Sequence, residues 1–203
     1  MITINNTIRW DHNLIFDLIG KKTSVLDLGC GNGELLARLI VEKNVRGQAV
    51  EADPEYVASA IKNGVAVYQK DLDQGLNEFK NKSYDYVILE KTVQQLYQPL
   101  LVLKEILRVG EICLVSFPNF FYKETVKKFL KSEKMPVTSS LPYKWYNTPN
   151  IHLFTLADFI EWTKKETVTI LEGYAAEGSK VRPVKISEDN REAEELLFVI
   201  KGA

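Results

Sequence analysis

Asp27 stands two residues before the first of three alternate glycines, Gly29, Gly31 and Gly33, in the stretch Thr23-Ser-Val-Leu-Asp-Leu-Gly-Cys-Gly-Asn-Gly-Glu34. Glycines let a backbone take φ > 0 and come close to a ligand, and a helix N-terminus offers free N–H groups, so such a turn makes a nucleotide cradle. A carboxylate at Asp27 would repel a pyrophosphate and suit a ligand bearing an ammonium group. It also suits a turn cap. Glu51, twenty-two residues after Gly29 and followed by Ala52, ends a second apolar run. An acid there can take a ribose diol, and charge-assisted hydrogen bonds are worth about 1.5–3 kcal/mol each. Asp71 could accept from an adenine amino group while Leu72 packs on the ring, although Asp71-Leu-Asp73-Gln-Gly75 is also a good turn. Glu90 closes the fourth apolar run and puts another acid at the same mouth. Cys30 reads as a small packing residue lining the turn rather than a nucleophile, since no histidine is near it in sequence.

These residues need strands that end together. Strands are expected over 23–28, 46–51, 65–69, 84–89, 111–117, 167–174 and 195–201, with helices at about 8–20, 33–43, 54–63, 98–108 and 155–165. The alternation predicts an α/β fold with a parallel sheet covered on both faces. Asp27, the glycine turn, Glu51 and Asp71 then fall at C-terminal ends of neighbouring strands, where open α/β sheets bind ligands. Two regions break the rhythm. Residues 118–150 carry Pro118, Pro136, Pro142 and Pro149, a basic helical stretch and the aromatics Tyr143, Trp145 and Tyr146. They read as an inserted lobe over the sheet edge. About twenty polar residues with no clear helix join the last two strands, which predicts an antiparallel ending. A single domain spanning 1–203 is expected, without internal repeats.

Gly-x-Gly-x-Gly preceded by an acid departs from the Gly-x-Gly-x-x-Gly of nicotinamide dinucleotide sites. It resembles class I S-adenosylmethionine (SAM)-dependent methyltransferases, in which the acid faces the methionine end of the cofactor. Further blocks narrow the resemblance: 25–36, Arg46-Gly with Val-Glu-Ala-Asp-Pro-Glu (50–55), Gln69-Lys-Asp-Leu-Asp-Gln-Gly-Leu, and Tyr84-Asp-Tyr-Val-Ile-Leu. So do Ser116-Phe-Pro-Asn-Phe, Met135-Pro-Val-Thr and Leu141-Pro-Tyr-Lys-Trp-Tyr-Asn-Thr-Pro-Asn-Ile-His-Leu153. Together they resemble the MetW family of methionine-biosynthesis proteins. The resemblance implies a Rossmann-like sandwich, a seven-stranded mostly parallel sheet with a reversed C-terminal strand, and SAM or its product S-adenosylhomocysteine (SAH) as ligand. It also implies methionine biosynthesis, often beside a homoserine O-acyltransferase. The family more usually has a serine-glutamine or similar polar pair where this chain has Glu90 and Lys91.

Methyl transfer needs mainly alignment of acceptor and methyl, so the absence of a catalytic triad is no objection. A base is needed only if the acceptor must lose a proton. His152 is the candidate catalytic base, and His12 a candidate for the substrate pocket or a flap over the cofactor; a structural role suits either. Tyr143, Trp145 and Tyr146 could wall an acceptor pocket or pack the lobe onto the sheet. A partner-binding reading would use an apolar patch of Phe117, Phe120, Phe121 and Trp145. Two function classes follow: a methyltransferase acting on a small metabolite, and a SAM- or SAH-binding accessory to an acyltransferase. A net charge of −1 gives no basic excess for nucleic acid, and the missing Asn/Asp-Pro-Pro-Tyr motif after the fourth strand agrees. Two cysteines cannot build a cysteine zinc cluster, and no metal is expected. Strand-sized apolar runs predict no membrane span, and Met1–Asn6 lack a signal-peptide pattern, so a cytoplasmic protein is expected.

Overall fold

A computed structural model describes residues 9–202; the Met1–Asn6 segment lies outside them. The elements run α1 (Trp10–Leu18), β1 (Ser24–Leu28), α2 (Glu34–Lys43), β2 (Arg46–Glu51), α3 (Pro54–Lys62), β3 (Val67–Gln69), β4 (Tyr84–Glu90), α4 (Pro99–Val109) and β5 (Gly110–Pro118). Then follow α5 (Lys123–Ser132), α6 (Leu156–Lys165), β6 (Thr169–Glu177), β7 (Lys180–Pro183), α7 (Asp189–Glu192) and β8 (Glu195–Lys201). Single 3-10 turns occupy Leu72–Gln74 and Val93–Gln95.

One sheet takes the order β3-β2-β1-β4-β5-β8-β6-β7. The first five strands are parallel, β8 is antiparallel to β5, and β6 pairs antiparallel with β8. This is the expected Rossmann-like fold with its reversed ending. The count is eight rather than seven. The extra strand, β7, forms a hairpin with β6 inside the segment expected to be an irregular polar link. All four of its residues are exposed, so it has no apolar alternation to betray it. The same segment holds the one-turn helix α7, and the basic stretch of the lobe forms α5.

Each strand feeds two cores, because successive side chains point to opposite faces. On one face Ile15 and Ile19, Leu35, Leu36 and Leu39 of α2, and Ala60 of α3 cover Val25, Ala49, Ile88, Leu114 and Leu197. On the other, Leu72, Leu76 and Phe79, with α4 and α6, cover Leu26, Val50, Val87, Val115 and Phe198. Strands buried on both sides read as continuous apolar runs, and each fully buried Leu or Phe contributes about 1.5–3 kcal/mol. Phe117, expected in an exposed patch, is instead fully buried and packs on Phe154, Phe159 and Phe198.

Helix starts follow local chemistry. Asp53 accepts from Glu55 N–H at 2.8 Å ahead of Pro54, and Thr155 with Asp158 closes a capping box on α6. Among the described residues no helix is long and apolar enough to cross a membrane.

Candidate functional site

The three glycines of the β1–α2 turn all have positive φ, but they do different work. A Cβ on Gly29 would lie 2.7 Å from Thr92 Oγ1, so this glycine makes room for the chain leaving β4. A Cβ on Gly33 would lie 2.8 Å from Ala60 Cβ, so this one lets α2 pack on α3. Among the described residues a Cβ on Gly31 would meet nothing within 4 Å. Gly31 is therefore the open point of the cradle, where a ligand can approach the backbone.

Glu51 ties β2 to that point. Its Oε2 accepts from Gly31 N–H at 2.9 Å, and its Oε1 from Ala52 N–H at 2.8 Å and Asp53 N–H at 3.0 Å. A carboxylate has about four acceptor positions, so one stays open for a ligand hydroxyl.

Register places two further acids around Asp27. Asp27 is paired with Ala49 on β2 and with Ile88 on β4. Glu51 and Glu90 lie two residues beyond those partners, and strand alternation puts both on the Asp27 face. Asp27 is only 3% exposed, and among the described residues its carboxylate accepts no hydrogen bond. Burial, then the negative charges of Glu90 and Glu51, push its pKa up to about 7, against the pull of His12.

Glu90 is held from above. Arg9 and His12, just before and within α1, both bind its carboxylate, the His12 Nε2 at 3.1 Å. Arg9 also binds the fully buried Asp11, which Lys91 Nζ approaches at 3.3 Å. Lys91 reaches Glu195 on β8 at 2.7 Å, and Trp10 Nε1 donates to the same side chain. Burial alone would raise the Asp11 pKa; the hydrogen bond from Arg9 and the charge of Lys91 outweigh it and hold it well below the usual range. Burial would likewise lower His12, yet its bond to Glu90 raises it. Lys91 has φ +48°, a left-handed conformation rare outside glycine, fixed by its N–H bond to the Ser116 carbonyl at 3.0 Å. Asp11, His12 and Glu90 each bring a ligating atom within 4.8 Å of the others, a spacing open to a cation, but Arg9 and Lys91 already engage the two carboxylates.

The remaining sequence candidates are placed less closely. Asp71 is exposed and accepts from Asp73 N–H at 2.9 Å, capping the 3-10 turn, while Leu72 is only 6% exposed and packs mostly into the core. Cys30 is half-buried; burial and the nearby Asp27 and Glu51 push its thiol up, so it is no thiolate nucleophile. Ile151 and His152 donate backbone N–H groups to the Gln94 carbonyl, which docks the end of the lobe on the turn after β4. The His152 side chain itself is exposed. Tyr143, Trp145 and Tyr146 face solvent, and the last two stack edge-on at 5.6 Å. Sequence reasoning missed Arg9, Asp11, Lys91, Gln94 and Glu195. Only the Glu90-Lys91 charge pair at the end of an apolar strand hinted at the network. Gln94 is buried with its Oε1 unpartnered among the described residues.

Comparisons with known proteins agree with this fold. Over 95% of the chain and 89% of its counterpart, the fold matches the Haloferax volcanii complex between the Trm112 methyltransferase activator and a methyltransferase (TM-score 0.67, 18% identity). A Thermotoga maritima SAM-dependent methyltransferase matches over 95% and 88%, with TM-score 0.66 and 16% identity. The Rhodopirellula baltica "Bifunctional methionine biosynthesis protein MetXA/MetW" is 35% identical over 161 residues. Those cover 75% of this chain but 26% of that relative, so the chain matches about a quarter of the relative's length. The family described as "Methionine biosynthesis protein MetW" matches residues 9–200. With the fold of the class I SAM-dependent methyltransferases, the chain belongs to the MetW family of methionine-biosynthesis proteins.

Proposed function

We propose that the protein binds SAM at the C-terminal ends of β1, β2 and β4 and transfers its methyl group to a small metabolite. The observation that carries this reading is Asp27, a buried carboxylate without a hydrogen bond among the described residues, beside the open backbone of Gly31. In this reading Asp27 receives the ammonium of the methionine moiety and Glu51 takes the ribose hydroxyls. Asp71 and Leu72 meet the adenine, with Ala52 and Cys30 lining the cleft. SAM bound there supplies an activated methyl on a sulfonium. The chain's task is then alignment and exclusion of water, and positioning of this kind can remove roughly 7–11 kcal/mol of a barrier. A proton leaving the acceptor would go to a histidine. His152 fits if the lobe folds inward with Tyr143, Trp145 and Tyr146; His12 lies nearer the acids. Calorimetry with SAM tests the site: Glu51→Ala should weaken binding at least about tenfold, and unchanged affinity would remove the assignment. Retained turnover of labelled SAM in His152→Asn would make that histidine structural.

A second reading is favoured by a separate observation. Half of the large apolar side chains exposed among the described residues lie between Phe121 and Leu153. Such clustering suits protein contact. The MetXA/MetW relative joins two named parts in one chain, which supports a companion of that kind. Here the SAM fold would serve as an accessory subunit of a homoserine O-acyltransferase. Adding the protein to that enzyme over a range of ratios should raise the acyl-transfer rate; a flat response rejects the reading.

A further inference from the structure

We propose that this site selects its ligand by charge, taking SAM over SAH, and that Glu90 supplies much of that preference. The inference rests on the SAM reading above and narrows it.

SAM and SAH share adenine, ribose, ammonium and carboxylate. They differ by one methyl and by the positive charge of the sulfonium. A site built only to hold the shared groups would not separate them. This one carries more than those groups require. Asp27 and Glu51 suffice for the ammonium and the diol, and Glu90 adds a third carboxylate on the same sheet face, one pleat beyond the level of Asp27. One pleat is roughly 7 Å along the strand. The surroundings are dry: Asp27 is 3% exposed and the Glu90 side chain 10%.

The local cations do not cancel these acids. Arg9 is shared between Asp11 and Glu90, and Lys91 between Asp11 and Glu195. His12, on Glu90, is the other cationic partner and is charged only when protonated. Among the described residues Asp11, Asp27, Glu51, Glu90 and Glu195 therefore outnumber the positive groups that bind them. The partial positive charge at the start of α2 offsets only part of the remainder. The carboxylate of Asp27, only 3% exposed and accepting no hydrogen bond among the described residues, is the independent sign that the deficit points at the ligand. A second positive charge on the ligand completes the balance, whereas a neutral thioether gains nothing from it. At this depth and spacing one charge is worth about tenfold or more in affinity.

Calorimetry with SAM, SAH and sinefungin, in which an ammonium-bearing carbon replaces the methyl sulfonium, separates charge from shape. The expected result is that SAM and sinefungin each bind about tenfold or more tighter than SAH. Glu90→Gln should shrink that ratio about fivefold or more while moving SAH affinity little, and Glu90→Asp should keep it. A wild-type measurement covers misfolding of either variant. The SAM-to-SAH ratio should widen from pH 6 to pH 8, as Asp27 and His12 lose protons within the surrounding set of Glu51, Glu90, Asp11, Glu195, Arg9 and Lys91. Equal or tighter SAH binding by the wild type overturns the inference and leaves the SAM reading standing. A ratio unmoved by Glu90→Gln in a folded protein removes Glu90 from it. If none of the three ligands binds, the SAM reading falls first.

Discussion

Asp27 is held at the expense of stability. Its pKa is raised to about 7 from an ordinary 3.8, so the folded protein binds this proton more tightly than the unfolded chain does. The sign follows: its favourable contribution is complete below about pH 4 and is lost as pH rises through about 7. At pH 8 the ionised carboxylate, which accepts no hydrogen bond among the described residues, costs on the order of 2–4 kcal/mol. Asp27→Asn should therefore raise the melting temperature at pH 8, with little gain at pH 4, while weakening SAM binding. A variant less stable at pH 8 would show that Asp27 has a partner in the free protein. The glycines offer a matched pair. Gly31→Ala and Gly33→Ala both force an L side chain into the left-handed region, at about 1–2 kcal/mol. Only Gly33→Ala also collides with Ala60, at 2.8 Å. Thermal melts should rank Gly33→Ala as clearly the more damaging, with Gly31→Ala folded but poor at binding SAM. At this scale the sequence was informative because spacing alone puts Asp27, Gly31 and Glu51 at the ends of adjacent strands. It was silent on how the glycines divide their labour, since Thr92 and Ala60 arrive from distant elements.

The helix α1 is positioned by charge as well as by its apolar face. Ile15 and Ile19 pack on the sheet, while Arg9, Asp11 and His12 fasten its start to Glu90 and Lys91. Breaking a buried pair on one side leaves an uncompensated charge and costs about 3–5 kcal/mol. Lys91→Met removes the cation facing both Asp11 and Glu195. Hydrogen exchange should show faster opening of α1 in Lys91→Met than in the wild type, with α4 and the β4–β5 pair unchanged. Uniform loss of protection across the sheet would mean that Lys91 supports the whole fold, not α1. The helix itself is evident from its apolar spacing. Its fastening is not, because ion pairs separated by some eighty residues, such as Arg9 with Glu90, leave no periodic trace. For the same reason β7 escaped notice: four exposed residues are a strand only because β6 lies beside them.

At the scale of the whole molecule, a net charge of −1 conceals a separation of sign. Acids gather at the mouth of β1, β2 and β4, while Lys123, Lys127, Lys131 and Arg191 line a cleft of about 610 Å³ together with Phe121, Val126 and Leu130. The parallel core was legible because both-face burial writes itself as unbroken apolar runs. Residues 118–150 stood out by their prolines and aromatics, but their packing was not legible, because the apolar side chains there are largely exposed and obey no burial pattern: Leu130 is 71% and Trp145 75% exposed. That exposure makes the enzyme and accessory readings separable. Leu130→Ser with Trp145→Ser should leave the melting temperature nearly unchanged, since surface substitutions usually shift stability by under about 0.5 kcal/mol. SAM affinity should hold as well, because neither residue lies on the acid-bearing strands. If the lobe is a contact surface, the pair should abolish co-purification with the acyltransferase. The wild-type association rate should also fall as salt rises, since a lysine-lined cleft attracts an acidic partner only within a Debye length of about 10 Å at 0.1 M. If the lobe instead closes over an acceptor, the same pair should spare the complex and lower methyl transfer. Both effects together would mean that the partner is what closes the lobe.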